Sequence, residues 1–398
     1  MKKVLVLNPY LPTMGGGEKH MGYLCKFIED YYKGEVKIDI LVHNYNNIDI
    51  HDENYVTIDN LNKQFGLQLN KTNITKIDIN MPSTLKESLY NKKLIEDITK
   101  EYDIFINFMF LSKHIGKANV NIYGCMFPAK PYVKEIQGTF LKKIGAKYYD
   151  YRFFNSYDSF ICNSAYTNHW LNEYWKNSPN NRVIYPPVFS EEEIYGRYNE
   201  SEKENIIVSV GRFFVGAHSK KQLEMVQMFV NNKDKFKDYE YHLVGAVSNY
   251  EEDINYLNKI KEIAADADNV YIHENYPFKE LMNLYRKAKI FWHGTGYLVD
   301  ENLEPEKMEH FGITTVEAMS FGAIPVVINK GGQKETVQEG INGYRWNDEG
   351  ECINKTLKVI NNEEKRKEMA EICVEEAKKY SIDAFFEANR RLFNELRI

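Results

Sequence analysis

Short unbroken apolar runs recur along this chain, each followed by a polar loop and then by apolar positions at helical spacing. Residues 4–7 (Val-Leu-Val-Leu) form the first run. It opens into a loop, 8–19, that carries Gly15, Gly16 and Gly17, after which Met21, Leu24, Cys25 and Ile28 repeat every three to four positions. Uninterrupted apolar runs predict parallel strands covered on both faces, and the periodicity behind them predicts the covering helices. The same pattern predicts strands at 38–42, 55–58, 74–79, 104–107, 120–123 and 159–162, with helices at 85–100 and 165–175. Beyond it lie strands at 206–210, 241–244, 270–273, 290–293 and 324–328, and helices beginning near Leu223, Phe278 and Ile313. Strand and helix alternate throughout, which predicts an α/β protein of doubly wound sheets. Pro186-Pro187 and the charged run 190–204 interrupt the alternation once. A double proline stiffens the chain and ends regular structure, so a linker is expected at 186–204. Two Rossmann-like domains then cover 1–187 and 188–375, and 376–398 is a closing helical segment.

A chain of 398 residues accommodates two domains of ordinary size, so composition agrees with the pattern. A formal net charge of −6 speaks against a protein that binds nucleic acid through a global basic field. Five cysteines without C-x-x-C spacing cannot form a complete disulfide framework and suit a reducing cytosol. No apolar run reaches the roughly 18 residues of a membrane span. The expected location is therefore cytoplasmic, with any membrane contact peripheral at the inner face.

Charge patterning singles out one segment. Between Lys113 and Arg152 stand Lys117, Lys130, Lys134, Lys142, Lys143 and Lys147, against only Glu135 and Asp150, with Phe127, Tyr132, Phe140, Tyr148, Tyr149 and Tyr151 interleaved. Two readings stay open: a peripheral contact with anionic lipid or a lipid-linked acceptor, and a solvated face over a packed aromatic core.

The candidate chemistry gathers at Glu309-His-Phe-Gly-Ile-Thr-Thr-Val-Glu317. A helix starting near Ile313, with Thr314 and Thr315 suited to cap it, aims free amides at the Phe311-Gly312 turn. Such a terminus attracts phosphate, and the two flanking carboxylates accept hydrogen bonds from hydroxyls. Arg212 and Lys221 follow the first strand of the second half, on the same sheet edge, where a guanidinium and an ammonium suit a diphosphate. Metal spacing is missing: His293 and His310 read as hydrogen-bonding loop residues, and no metal or other cofactor is expected. No G-x-S-x-G elbow is present. A nicotinamide enzyme is disfavoured, because His20 breaks G-x-G-x-x-G and the second strand ends without a ribose-binding acid.

Glu309-x7-Glu317 enclosing His-Phe-Gly, together with Gly211-Arg212…Lys221, Tyr185-Pro-Pro187, Asn163-Ser164 and the early glycine-rich loop, resembles retaining glycosyltransferase family four. Glu-His-Phe-Gly-Ile and Cys125-Met-Phe-Pro128 resemble most the branch containing α-mannosyltransferases and bacterial polysaccharide enzymes. The resemblance covers essentially the whole chain. It implies a GT-B fold, two Rossmann-like domains facing each other across a cleft, with the terminal helix crossing back to the first. It implies hexose transfer, with retention and α-linkage, from a nucleotide-sugar (GDP-mannose or a UDP-hexose) to a glycan, lipid-linked or small-molecule acceptor. By position, Glu309 contacts the transferred sugar, Glu317 the ribose, and Arg212 and Lys221 the diphosphate. Phe311, Gly312, Ile313 and Thr314 line the pocket with amides, Gly16 and Gly17 close on the donor, and the base sits near Glu274 and Asn275. Relatives often carry His where Met126 stands, which puts the first domain's share of the site in question. The alternative function is a silent GT-B subunit that binds a partner, whose mark would be loss of Glu309, Glu317, Arg212 or Lys221.

Overall fold

The computed structural model describes residues 1–8, 15–45, 57–80, 82–137, 139–176, 180–216 and 218–398. Residues 9–14 of the glycine-rich loop, and 55 and 56 of one predicted strand, lie outside them. Two compact units result, one made of Met1–Pro187 with Phe385–Ile398, the other of Val188–Ala384.

In unit 1, β1 (Lys2–Leu7), β2 (Val36–Tyr45), β3 (Thr72–Ile79), β4 (Ile104–Asn107), β5 (Val120–Cys125), β6 (Ser159–Cys162) and β7 (Asn181–Val183) pair in the order β3-β2-β1-β4-β5-β6-β7. Every pairing is parallel. Val4–Leu7 is wholly buried, as a run covered on both faces requires. The terminal helix Ile382–Leu396 closes one face: Phe393 meets Phe27 edge-on at 5.2 Å, and Tyr31 Oη donates to Asn394 Oδ1 at 2.9 Å.

Unit 2 repeats the plan with β8 (Glu204–Val210), β9 (Glu240–Gly245), β10 (Val270–Glu274), β11 (Ala288–His293), β12 (Ile324–Ile328) and β13 (Tyr344–Trp346), in the order β10-β9-β8-β11-β12-β13. These pairings are parallel too. Its core is aromatic. Trp292 packs against Tyr241, Phe236 and Phe229 and donates its indole N–H to Thr356 Oγ1 at 2.9 Å. Each such side chain contributes about 1.5–3 kcal/mol by leaving water. Strand order reverses beside β8, with β9 on one side and β11 on the other. That is where open parallel sheets leave a crevice at their carboxyl edge.

Two expectations are corrected and a third is narrowed. The strand predicted at 55–58 gives way at Ile58 to a helix, Ile58–Phe65, because Thr57 caps it by accepting from the Asn60 N–H. The linker predicted at 186–204 is built into unit 2 from Val188 onward: Ser190 and Glu193 form a capping box that starts helix Glu191–Tyr195, and Glu200 pairs with buried Arg366. The basic segment is not one surface. Lys113 is buried against Glu135 at 2.6 Å and under the Tyr132 ring, and Arg152 pairs with Glu96 at 2.9 Å. What remains exposed is largely on a helix the polar pattern concealed, Phe140–Phe154.

Candidate functional site

Glu309 lies on the loop that joins β11 to the helix Ile313–Ser320. Its Oε2 accepts from Lys220 Nζ at 2.5 Å and from His293 Nε2 at 3.0 Å. Burial alone would raise the Glu309 carboxyl; the Lys220 ammonium and the His293 hydrogen bond outweigh it and hold the group well below the usual carboxylate range. Lys220 comes from the loop after β8 and His293 is the last residue of β11, so the pair spans the two strands at the order reversal.

A polar network fixes how His293 meets the carboxylate. Gln333 Oε1 accepts from the Thr315 hydroxyl at 3.1 Å, which turns Gln333 Nε2 toward His293 Nδ1 at 3.3 Å. Nδ1 is then the acceptor and the proton resides on Nε2, facing Glu309. Burial lowers His293 despite Glu309, so the ring is neutral when it donates.

The helix behind this cluster starts differently from the reading of Thr314 and Thr315 as caps. Gly312 is the N-cap, at φ +95°, with no side-chain cap, and Thr315 turns to Gln333 instead. A Cβ at Gly312 would sit 2.6 Å from Gln333 Nε2, and its φ lies where side chains are strained, so glycine serves twice. The first amides, at Ile313 and Thr314, are left without a side-chain cap on the side of the buried Phe311.

The cation beside Glu309 is Lys220, and Lys221 is elsewhere. Lys221 is the αL N-cap of helix Gln222–Asn231, φ +61°, and its ammonium pairs with Glu224 at 2.9 Å. Arg212 is exposed at the start of the same loop, its guanidinium 5.6 Å from the Phe214 ring centre. Gln222 is buried and holds the loop by donating to the carbonyls of Gly211 and Arg212 at 2.9 and 3.0 Å. Glu317 is buried one turn into its helix. Tyr285, which the sequence reading passed over, lies near it: burial and then the Glu317 charge push the phenol well above its ordinary value. Glu274 ends β10 in an exposed pair with Lys261 at 2.5 Å. Asn275 follows in the αL conformation and its Oδ1 accepts from Val247 N–H at 3.0 Å. Unit 2 thus brings Glu309, Lys220, His293, Gln333 and Gly312 together and sets Lys221 apart.

In unit 1, Gly16 and Gly17 open helix Gly16–Tyr31. Met126 lines a cavity of about 20 Å³, room for one water, with His20, Cys125, Asn163 and Asn389. Burial lowers His20 to about 3. The imidazole that lines this cavity with Met126 comes from the first helix. Among the described residues, no cluster of three or more His, Cys, Asp or Glu side chains is arranged to hold a metal, and no helix is long and apolar enough to cross a membrane.

The buried histidines give one pH prediction. His310 is lowered from 6.5 to about 3, first by burial and next by His218. Because the neutral ring is the folded form, below its unfolded value the unfolded chain binds a proton that the folded chain refuses. Stability then falls by about 1.4 kcal/mol per pH unit. It is fully present above 6.5 and lost progressively toward 3. Urea titrations should show about 2 kcal/mol less stability at pH 5 than at pH 7 from this group alone; an unchanged or higher midpoint at pH 5 would contradict it.

Two units, each a parallel sheet of this order, define the GT-B fold. Residues 190–379 match the family Glycosyl transferases group 1. An uncharacterized glycosyltransferase of Methanocaldococcus jannaschii is 26% identical over 402 residues, 99% of this chain and 98% of that one. The human GDP-Man:Man(3)GlcNAc(2)-PP-Dol alpha-1,2-mannosyltransferase is 26% identical over 183 residues, 44% of this chain and 35% of that enzyme. Anabaena HepE, solved in complex with UDP-glucose, has the same fold, with a TM-score of 0.69 at 13% identity over 99% of this chain and 100% of that one. Together these findings indicate a glycosyltransferase enzyme.

Proposed function

We propose that this chain is a retaining glycosyltransferase that moves a hexose from a nucleotide-sugar, GDP-mannose or a UDP-hexose, to a glycan, lipid-linked or small-molecule acceptor, forming an α-linkage without a metal. The observation that carries this is the Lys220–Glu309–His293 cluster at the strand-order reversal, beside an uncapped helix start. A diphosphate at the amides of Phe311 to Thr314 takes the Lys220 ammonium as its counter-charge, with Arg212 from the same loop. Glu309, still ionised and still held by His293, then accepts from hydroxyls of the hexose. Glu317 receives the ribose hydroxyls, and the base lies by Glu274 and Asn275. As the anomeric C–O bond breaks, the leaving diphosphate oxygen takes the acceptor's proton while attack occurs on the same face. The protein contributes position and charge. The names of two relatives support the donor class: one is a GDP-Man mannosyltransferase, the other was solved with UDP-glucose.

A thermal-shift panel of UDP, GDP, ADP, dTDP and NAD tests the reading. UDP or GDP at about a hundred times its Kd should stabilise the chain by about 2.7 kcal/mol. Arg212→Ala and Glu317→Ala should each weaken that nucleotide at least about tenfold while folding survives. Stabilisation by NAD alone would reverse the choice. Nucleotide binding with no turnover of any donor would leave the silent binding subunit.

A further inference from the structure

Helix Phe140–Phe154 has an apolar face that its own unit does not cover. Ala146, Asp150 and Phe153 are buried, and on the opposite side Phe140, Leu141, Ile144, Tyr148 and Tyr151 are between 49% and 78% exposed. At about 100° per residue those five side chains fall within one quadrant and a little more, directly across from the buried three. Lys142, Lys143 and Lys147 are exposed on the same helix, and Lys134 and Val133 are exposed just before it. Glu135, just before this helix, is committed to Lys113, and Glu87, between Leu85 and Leu89 on the neighbouring helix, accepts from Ser83.

A second helix adds to the surface. Leu85, Leu89 and Tyr90, in helix Leu85–Thr99, are exposed by 77%, 49% and 66%. Lys92 lies over the Tyr149 ring and Glu96 pairs with Arg152. The partners advance in step along both helices, so the helices run parallel with their first turns at the same end. Each follows a strand of the parallel sheet, β3 or β5, and must begin at that strand's carboxyl end. The exposed apolar ends therefore lie at the carboxyl edge of the unit 1 sheet, the edge at which such sheets take ligands.

We propose that this surface docks unit 1 on an anionic lipid bilayer. The charge pattern decides between occupants. Aromatic and branched side chains enter the headgroup boundary while lysines beside them reach anionic headgroups with their stems along the apolar surface. Lysine is depleted where protein packs on protein. In a chain of net charge −6, a second copy offers little reason to set exposed Lys143 and Lys147 along one flank of an apolar stripe. Docking at the carboxyl edge would bring unit 1 to the bilayer that carries a lipid-linked acceptor, one of the acceptor classes proposed above. The docking itself needs no catalytic activity.

The test is co-sedimentation of the full chain with vesicles of phosphatidylcholine and phosphatidylglycerol in a two-to-one ratio, against phosphatidylcholine alone. Binding to the anionic vesicles should weaken at least about tenfold in Phe140→Ser/Leu141→Ser/Ile144→Ser and fall steeply with salt in the parent. Lys142→Glu/Lys143→Glu/Lys147→Glu should lose the preference for anionic vesicles. These positions are exposed, and circular dichroism checks that the variants fold. Nucleotide stabilisation should be unchanged in both, which separates this proposal from the one about the site. A parent that stays in the supernatant with anionic vesicles would overturn it. So would an apolar triple variant that binds like the parent, or a parent dimer in solution that this variant dissolves.

Discussion

Lys220→Ala is expected to lose two to three orders of magnitude in turnover, roughly the cost of removing one preorganised charge-stabilising donor. Lys221→Ala, one position on, should stay within about threefold of the parent, since its ammonium serves a half-buried pair with Glu224 and not Glu309. The difference rests on geometry. Lys220 Nζ reaches Glu309 at 2.5 Å, and Lys221 reaches Glu224 at 2.9 Å on its own helix. Lys220 has a ready exchange of partners when a diphosphate arrives, and removing it leaves Glu309 with His293 alone. Burial lowers His293 despite Glu309, so at neutral pH a neutral ring does not replace the lost charge. Steady-state rates with donor varied, on both variants, check this. Equal losses at the two positions would place the cation elsewhere.

The same pair of lysines shows where the sequence stops being readable. Adjacent identical residues in a polar loop differ only in backbone conformation. The αL turn at Lys221, φ +61°, sends the two side chains apart, and no periodicity announces it. By contrast, β4 and β6 match their predicted limits, because fully buried parallel strands print as unbroken apolar runs. The helix start at Ile313 was legible from Gly312 and the apolar register, but its cap was not. Thr315 was drawn away by Gln333, eighteen positions later. Helix Phe140–Phe154 escaped notice for a physical reason: it carries apolar residues on two opposite faces, so no single stripe stands out. Helix Glu251–Ala264, with Leu257, Ile260 and Ala264 buried, had an ordinary stripe and was open to detection. His293 read as a loop histidine; only its position at the end of β11 discloses the contact with Glu309.

Gly331→Ala should be the most damaging small change in unit 2, because it combines two faults that Gly340→Ala separates. Gly331 has φ +60° and a Cβ there would stand 2.2 Å from the backbone oxygen of Glu309. Gly340 has φ +74° with nothing within 4 Å. Gly340→Ala therefore meets only the left-handed strain, about 1 kcal/mol, or roughly 2–4 °C in Tm for a unit of this size. Gly331→Ala must also displace backbone, since the obstacle is a carbonyl with no rotamer to change. That oxygen accepts from the Gly332 N–H at 2.7 Å, and the Gly331 N–H donates to Glu301 Oε1 at 2.9 Å, so neither strand of the turn can retreat without breaking a hydrogen bond. A total of about 3 kcal/mol, or roughly 6–12 °C, is expected. The displaced residue is Glu309, so turnover measured well below Tm should fall about a hundredfold in Gly331→Ala, the cost of misplacing a contact by about 1 Å. Gly340→Ala should turn over like the parent. Calorimetry and rates on the two variants together decide it: if both melt alike and both keep their rate, the turn at Gly331 does not set the position of Glu309.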